Sequence, residues 1–143
     1  MTSPQGGDVV VDTSAVIEAV CAAQPDPALM ERLATADRRF VPHLVDIEVI
    51  SVVRRLVQRQ ALTGPRAELA LSLFAELPLS RVSHEPLRAR IWSLRGNVSP
   101  YDAAFVALAE AFEAPLLTCD ARLSRASGPT CRFEVVGAGA DAG

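Results

Sequence analysis

Short apolar runs separated by stretches of helical length constrain this chain more than any other feature. Asp8–Asp12 (DVVVD) has a wholly β-branched interior and reads as a buried strand. Thr13-Ser14 then offers an N-cap for an apolar helix over Ala15–Ala23. Pro25 and Pro27 break that helix, and a second is expected over Ala28–Asp37. Arg39–Val41 reads as a short strand, and Pro42 opens a long amphipathic stretch, His43–Gln60, with apolar positions at 45, 49, 52, 53 and 56. Thr63-Gly64-Pro65 punctuates the chain before a helix over Arg66–Leu77, which Pro78 ends. Ser80–Val82 is a third candidate strand, and Glu85–Arg95 reads as a helix stopped by Gly96. Ser99-Pro100 places a capping hydroxyl before a proline at the first helical position, so a helix should run from there to about Phe112. Ala114–Thr118 (APLLT) is a buried strand, Asp120–Ala126 a short helix and Arg132–Val136 the last strand.

Strands that alternate with helices predict an α/β fold: a central, mostly parallel sheet of four to five short strands, flanked by helices on both faces. At 143 residues the chain is expected to form a single domain over 1–143, with an ordered core over about 8–136. The polar and Gly-rich first seven and last seven residues read as frayed ends. No apolar run reaches the roughly 20 residues that a membrane span needs. The start, MTSPQGGD, lacks the pattern of a signal peptide, so a cytoplasmic location is expected.

The charged residues exclude several chemistries. All 14 basic residues are arginine. Without lysine, neither P-loop nucleotide hydrolysis nor Schiff-base catalysis is open to the chain. The three cysteines, Cys21, Cys119 and Cys131, form no CxxC pair and read as packing residues. A net charge of -3 means that a nucleic acid would have to be met by a local arginine surface or through metal ions.

Two carboxylates fall where a parallel sheet binds ligands, at the carboxyl ends of its strands near a switch in strand order, and two more on helices could converge on the same cleft. Asp12 ends the first strand and Asp120 follows APLLT. Asp102 lies in the first turn of the Ser99-Pro100 helix, and Glu48 near the start of the helix after Pro42. Gathered carboxylates repel and stay ionised only beside a cation. Hard divalent cations such as Mg²⁺ prefer such oxygen ligands and serve phosphodiester hydrolysis without histidine or lysine. Each acid also has an ordinary use. Asp12 and Asp120 are equally placed to cap the helices after them, and Asp102 to complement a helix dipole. Glu48 lies at the border of the apolar stripe, and spacing does not choose between it and Asp46.

Together, VVVDTSAVIEAV, VPHLVDIEVISVVRR, SPYDAAFVALAE and LLTCDARL resemble the PIN-domain ribonucleases, and most of all the VapC-type toxins of bacterial toxin–antitoxin pairs. The resemblance spans about residues 8 to 136. It implies a PIN-like fold and a metal-dependent endoribonuclease that leaves 5′-phosphate ends, with Asp12, Glu48, Asp102 and Asp120 holding Mg²⁺ or Mn²⁺. Glu48 rather than Asp46 matches the family's placement in the helix after the second strand. Thr13 or Ser14 matches the hydroxyl beside the first acid, and Thr118 the small polar residue before the last. The implied partners are RNA, a cognate antitoxin and a second copy, in a homodimer or a toxin–antitoxin hetero-oligomer. The alternative is a non-catalytic binding module that retains the acidic pocket.

Arg122 is the preferred phosphate contact among the arginines that follow Glu48 and Asp120. Trp92 and Tyr101 could stack on a base; for Trp92 the core or an interface is favoured, and Tyr101, beside Asp102, is placed for a role at the site. His43 and His84 fall near helix starts, as capping or surface residues. An antitoxin helix would lie on a groove made by the first two helices and the long third one.

Overall fold

A computed structural model describes residues 6–137. Five short strands form one sheet: β1 (Val9–Val11), β2 (Arg39–Pro42), β3 (Ser80–Val82), β4 (Leu116–Thr118) and β5 (Phe133–Val135). Every neighbouring pair is parallel, in the order β3-β2-β1-β4-β5. Register is set at the centre, where Val10 lies opposite Phe40 on one side and Leu116 on the other.

The order fixes where the helices lie. From β1 through β2 to β3 the chain moves one way across the sheet; from β3 it returns past β1 to β4 and β5. Right-handed crossovers put the connections of these two halves on opposite faces. Helices α1 (Thr13–Cys21), α3 (Val45–Gln58) and α4 (Gly64–Glu76) accordingly pack on one another, with α2 (Pro27–Thr35) against α1. Helix α6 (Pro100–Phe112) crosses the other face against β1, β2 and β4, and α5 (Arg88–Ser93) packs on it. Seven consecutive residues of α6, Ala103–Ala109, are buried. A helix enclosed on all sides needs small side chains where neighbours approach, which explains its alanines.

The strands are apolar because both faces of the sheet are covered. Val9, Val10, Val11, Leu116 and Leu117 are all fully buried. Among the described residues, no helix is long and apolar enough to cross a membrane.

Several sequence expectations shift. Helix α1 begins at Thr13 rather than after it, and its N-cap is Asp12. The stretch expected as one helix over Glu85–Arg95 is a 3₁₀ turn at Glu85–Leu87 followed by α5. Gly7, expected in a frayed end, is pinned: its N–H donates to Asp37 Oδ2 at 2.9 Å, and its carbonyl accepts the Asp37 N–H. Gly137, expected in the other end, packs against Cys119 at φ +84, where an added Cβ would meet Sγ at 2.8 Å. The rest of both expected frayed ends, residues 1–5 and 138–143, lies outside the described residues.

Candidate active site

Strands β1 and β4 are neighbours, and the chain leaves them toward opposite sides of the sheet. A crevice therefore opens at their carboxyl ends. Asp12 follows β1 directly, and Asp120 follows β4 after Cys119. Glu48 is in the first turn of α3, just past the carboxyl end of β2. Asp102 is in the first turn of α6, with its backbone N–H on the Ser99 hydroxyl at 3.2 Å.

Asp12 is the centre of a hydroxyl network. It is 4% exposed. Its Oδ1 accepts the Thr13 N–H at 2.9 Å, and its Oδ2 accepts the hydroxyls of Thr118 at 2.7 Å and Ser14 at 2.9 Å. A hydroxyl has one proton to give. Ser14 and Thr118 both direct theirs to Asp12, so their mutual 3.1 Å contact is an approach of two oxygens rather than a further bond. As acceptors the same hydroxyls order the end of β4: Ser14 takes the Cys119 N–H and Thr118 the Asp120 N–H, each at 2.9 Å. The Thr13 hydroxyl turns the other way and donates to Glu48 Oε1 at 2.8 Å. Adjacent hydroxyls in the sequence thus hold different carboxylates.

None of the hydrogen-bond donors to Asp12 carries a charge. Burial pushes its carboxyl up to about 6, partly opposed by the Thr118 and Ser14 hydroxyls and reinforced by the charge of Asp102. Burial also raises Glu48, against the Thr13 hydrogen bond and with the charge of Asp102. Asp102 is raised by burial and by the charge of Asp120. Asp102 is thus the carboxylate through which the other three feel one another. Arg55 and Arg122 offset the repulsion from outside, acting on Glu48 and Asp102 respectively.

The four carboxylates are electrically coupled, yet among the described residues no three His, Cys, Asp or Glu side chains close on one point as a finished metal cage would. The donor set suits a hard divalent cation: carboxylate oxygens, one of them buried without a basic partner, on separate segments of chain. Zinc-type nitrogen and sulfur ligands are absent from it. The cysteines stay out as well, with burial holding the Cys119 thiol up to about 12.

Asp46 is engaged elsewhere. Its carboxylate takes a two-pronged ion pair from Arg81 of β3, at 2.8 and 2.6 Å, which holds it below the usual carboxylate range. Asp120 caps α7 (Ala121–Ser124) with Oδ1, which accepts the Arg122 and Leu123 N–H groups. Capping and membership of the acidic cluster coexist in this residue. The Arg122 side chain is 88% exposed and 3.7 Å from Asp120, so it stands at the rim rather than inside.

Trp92, expected in the core or at an interface, is 67% exposed, which excludes the core. The expected antitoxin groove loses one of its three helices. Helix α1 offers no spare apolar face for a partner, since Ala15, Val16, Ala19 and Val20 are all buried. The exposed large apolar residues of this layer are Met30 on α2, Ile47, Ile50 and Val57 on α3, and Leu69 and Leu73 on α4.

A cavity of about 640 Å³ opens at the opposite, amino ends of the strands beside Gly7 and Pro115. Two of its four acids are paired, Asp8 with Arg38 and Glu134 with Arg32, and Arg132 also lines it, so it is not a cluster of acids alone.

Comparison with known proteins gives the family and the fold. The family model of the PIN domain matches residues 9–129. The chain is 41% identical over 128 residues to the VapC ribonuclease Mb0985 of Mycobacterium bovis, covering 90% of this chain and 98% of that protein. It is 37% identical over 130 residues to ribonuclease VapC1 of Mycobacterium tuberculosis, with the same coverage. Among solved structures, PAE2754 from Pyrobaculum aerophilum superposes with a TM-score of 0.66 at 19% identity, over 90% of this chain and 83% of that one. VapBC2 from Rickettsia felis, solved bound to a promoter DNA fragment, gives 0.65 at 14% identity, over 90% of this chain and 98% of that one.

Proposed function

This chain belongs to the PIN-domain family, and on that footing we propose that it is an endoribonuclease, the toxin of a toxin–antitoxin pair, acting with Mg²⁺ or Mn²⁺ held by Asp12, Glu48, Asp102 and Asp120. The observation that carries the reading is Asp12, a buried carboxylate with three neutral hydrogen-bond donors and no cation. A protein gains nothing in stability by holding such a group ionised, so its use lies in what it binds.

The residues divide the work. Ser14 and Thr118 fix the Asp12 carboxylate so that it need not reorganise when charge arrives. Thr13 holds Glu48 toward the crevice from the α3 side. The amino end of α6 favours the negative charge of Asp102. Arg122 and Arg55 stand at the rim, where phosphates of a bound strand can reach them without entering the carboxylate cluster. A divalent cation bound there supplies charge neutralisation, an acidified attacking water and support for the leaving oxygen.

The test is cleavage of RNA by the full chain with Mg²⁺ or Mn²⁺ and with excess chelator. Loss of cleavage in chelator and products ending in 5′-phosphate and 3′-hydroxyl are expected, because the attacking oxygen belongs to water. Products with 2′,3′-cyclic phosphates, or full activity in chelator, would overturn the mechanism.

The partner proposed with this reading is an antitoxin whose amphipathic helix covers the exposed apolar residues of α2, α3 and α4, in a hetero-oligomer that also pairs two copies of this chain.

A further inference from the structure

The acidic crevice continues into a cavity of different character. Tyr101 and Leu44 line both a groove containing Glu48 and Arg55 and a neighbouring cavity of about 360 Å³. The floor of that cavity is apolar: Leu44 and Ile91 are half-buried and Ala104 is buried. Above it stand the two most exposed aromatic side chains, Trp92 at 67% and Tyr101 at 59%. The Arg95 guanidinium lies 4.2 Å from the Trp92 ring centroid, and His84 and Arg88 complete the rim. No acidic residue lines the cavity.

This combination is costly for a surface without a partner. An aromatic side chain normally contributes by being buried, and here two are left in water beside one another. Among the described residues neither Arg88 nor Arg95 pairs with a carboxylate, and both stand on the rim of this one apolar cavity. In a chain of net charge -3, unpaired cations gathered round an apolar floor point to an anionic partner with flat apolar groups. A second copy docking the same face by a two-fold axis would bring like-charged rims together. Single-stranded RNA matches both features, since its bases stack on aromatic rings and its phosphates take arginine.

We propose that this cavity is the subsite for one unstacked base next to the scissile phosphate, held against Trp92 and Tyr101 while Arg88 and Arg95 take the flanking phosphates. The inference rests on the nuclease reading and makes the subsite a determinant of which RNA sequence is cut. Tyr101 precedes Asp102 in the chain, so a base stacked there sets the register of the strand across the carboxylates.

Trp92 is the only tryptophan in the chain, so its emission reports on the cavity directly. The full chain is titrated with a six-nucleotide single-stranded RNA in chelator at low salt, and in parallel with an abasic strand of equal length. The RNA should quench Trp92 emission and the abasic strand should not. With metal present, Trp92→Ala should raise KM for RNA roughly 5- to 150-fold, the range set by loss of one stacked base, and Trp92→Phe should restore most of it. Equal quenching by both strands, or none by either, would overturn the proposal. So would emission that changes with protein concentration alone while Trp92→Ala lowers the sedimentation mass, which would make the face a contact between copies. Base-dependent quenching without any cleavage would uphold the subsite and sink the nuclease reading. Cleavage with an unchanged KM in Trp92→Ala would do the reverse.

Discussion

The Thr13 hydroxyl donates a 2.8 Å hydrogen bond to Glu48 Oε1, tying the first turn of α1 to the first turn of α3 across 35 positions of sequence. Nothing else among the described residues fixes that carboxylate by a hydrogen bond. Thr13→Val removes the donor and keeps the shape, so the concentration of Mg²⁺ needed for half-maximal cleavage should rise about 10- to 100-fold. Thr13→Ser should stay near wild type. Equal metal dependence in Thr13→Val and wild type would show that Thr13 does not position Glu48.

Asp12→Asn, Glu48→Gln, Asp102→Asn and Asp120→Asn should each abolish most RNA cleavage while circular dichroism shows an intact fold. In chelator, Asp12→Asn should melt higher than wild type, because it removes a buried, uncompensated charge. A lower melting temperature for Asp12→Asn would mean that its hydrogen bonds outweigh its repulsion.

Stability should depend on pH through the same residue. Asp12 titrates at about 6 in the folded chain against 3.8 for the ordinary group, so between those values the folded state holds a proton that the unfolded state has lost. Metal-free wild type should therefore lose stability relative to Asp12→Asn as pH rises from about 4 to 6, by about 3 kcal/mol in all. Below pH 4 the difference should be constant. Added Mg²⁺ should recover the loss above pH 6. Chemical unfolding of both proteins across this range makes the measurement, and parallel curves would refute the assignment.

Asp46→Asn should leave cleavage near wild type, since Arg81 holds that carboxylate away from the crevice. The pair is partly exposed on both sides, so its loss should cost no more than about 1 kcal/mol in stability. If Asp46→Asn is dead and Glu48→Gln active, the acid on α3 has been wrongly chosen.

An antitoxin can silence the site by placing an arginine or lysine among the carboxylates. A peptide that keeps this basic residue should inhibit cleavage, and its neutral variant should bind but inhibit less. Protection by a partner that touches nothing near Asp12 or Asp120 would rule out direct plugging.

The sequence revealed most of the fold because its punctuation is local. Ser99-Pro100 starts α6 where capping chemistry says it should, and four of the five strands lie within the stretches their apolar runs marked, with β2 running one residue further to Pro42. The site was less legible because its decisions are made between distant segments. Asp46 and Glu48 sit two positions apart, and what separates them is Arg81 on β3, beyond the reach of any helical wheel. Likewise, Thr13 and Ser14 were interchangeable in the sequence until α3 and β4 offered each a different partner. Trp92 could stack on a base or lie in the core or at an interface, and its sequence position alone did not reveal that α5 leaves it 67% exposed.

Gly137 offers a handle on catalysis from a distance. It lies against Cys119, whose backbone N–H is donated to Ser14, which in turn holds Asp12. A side chain at this position must displace either the thiol or the backbone carrying it. Gly137 is thus a dial on the proposed nuclease site: bulk added there would press on Cys119 and on the hydrogen bond that orders Ser14, whereas substituting an acid would switch the site off.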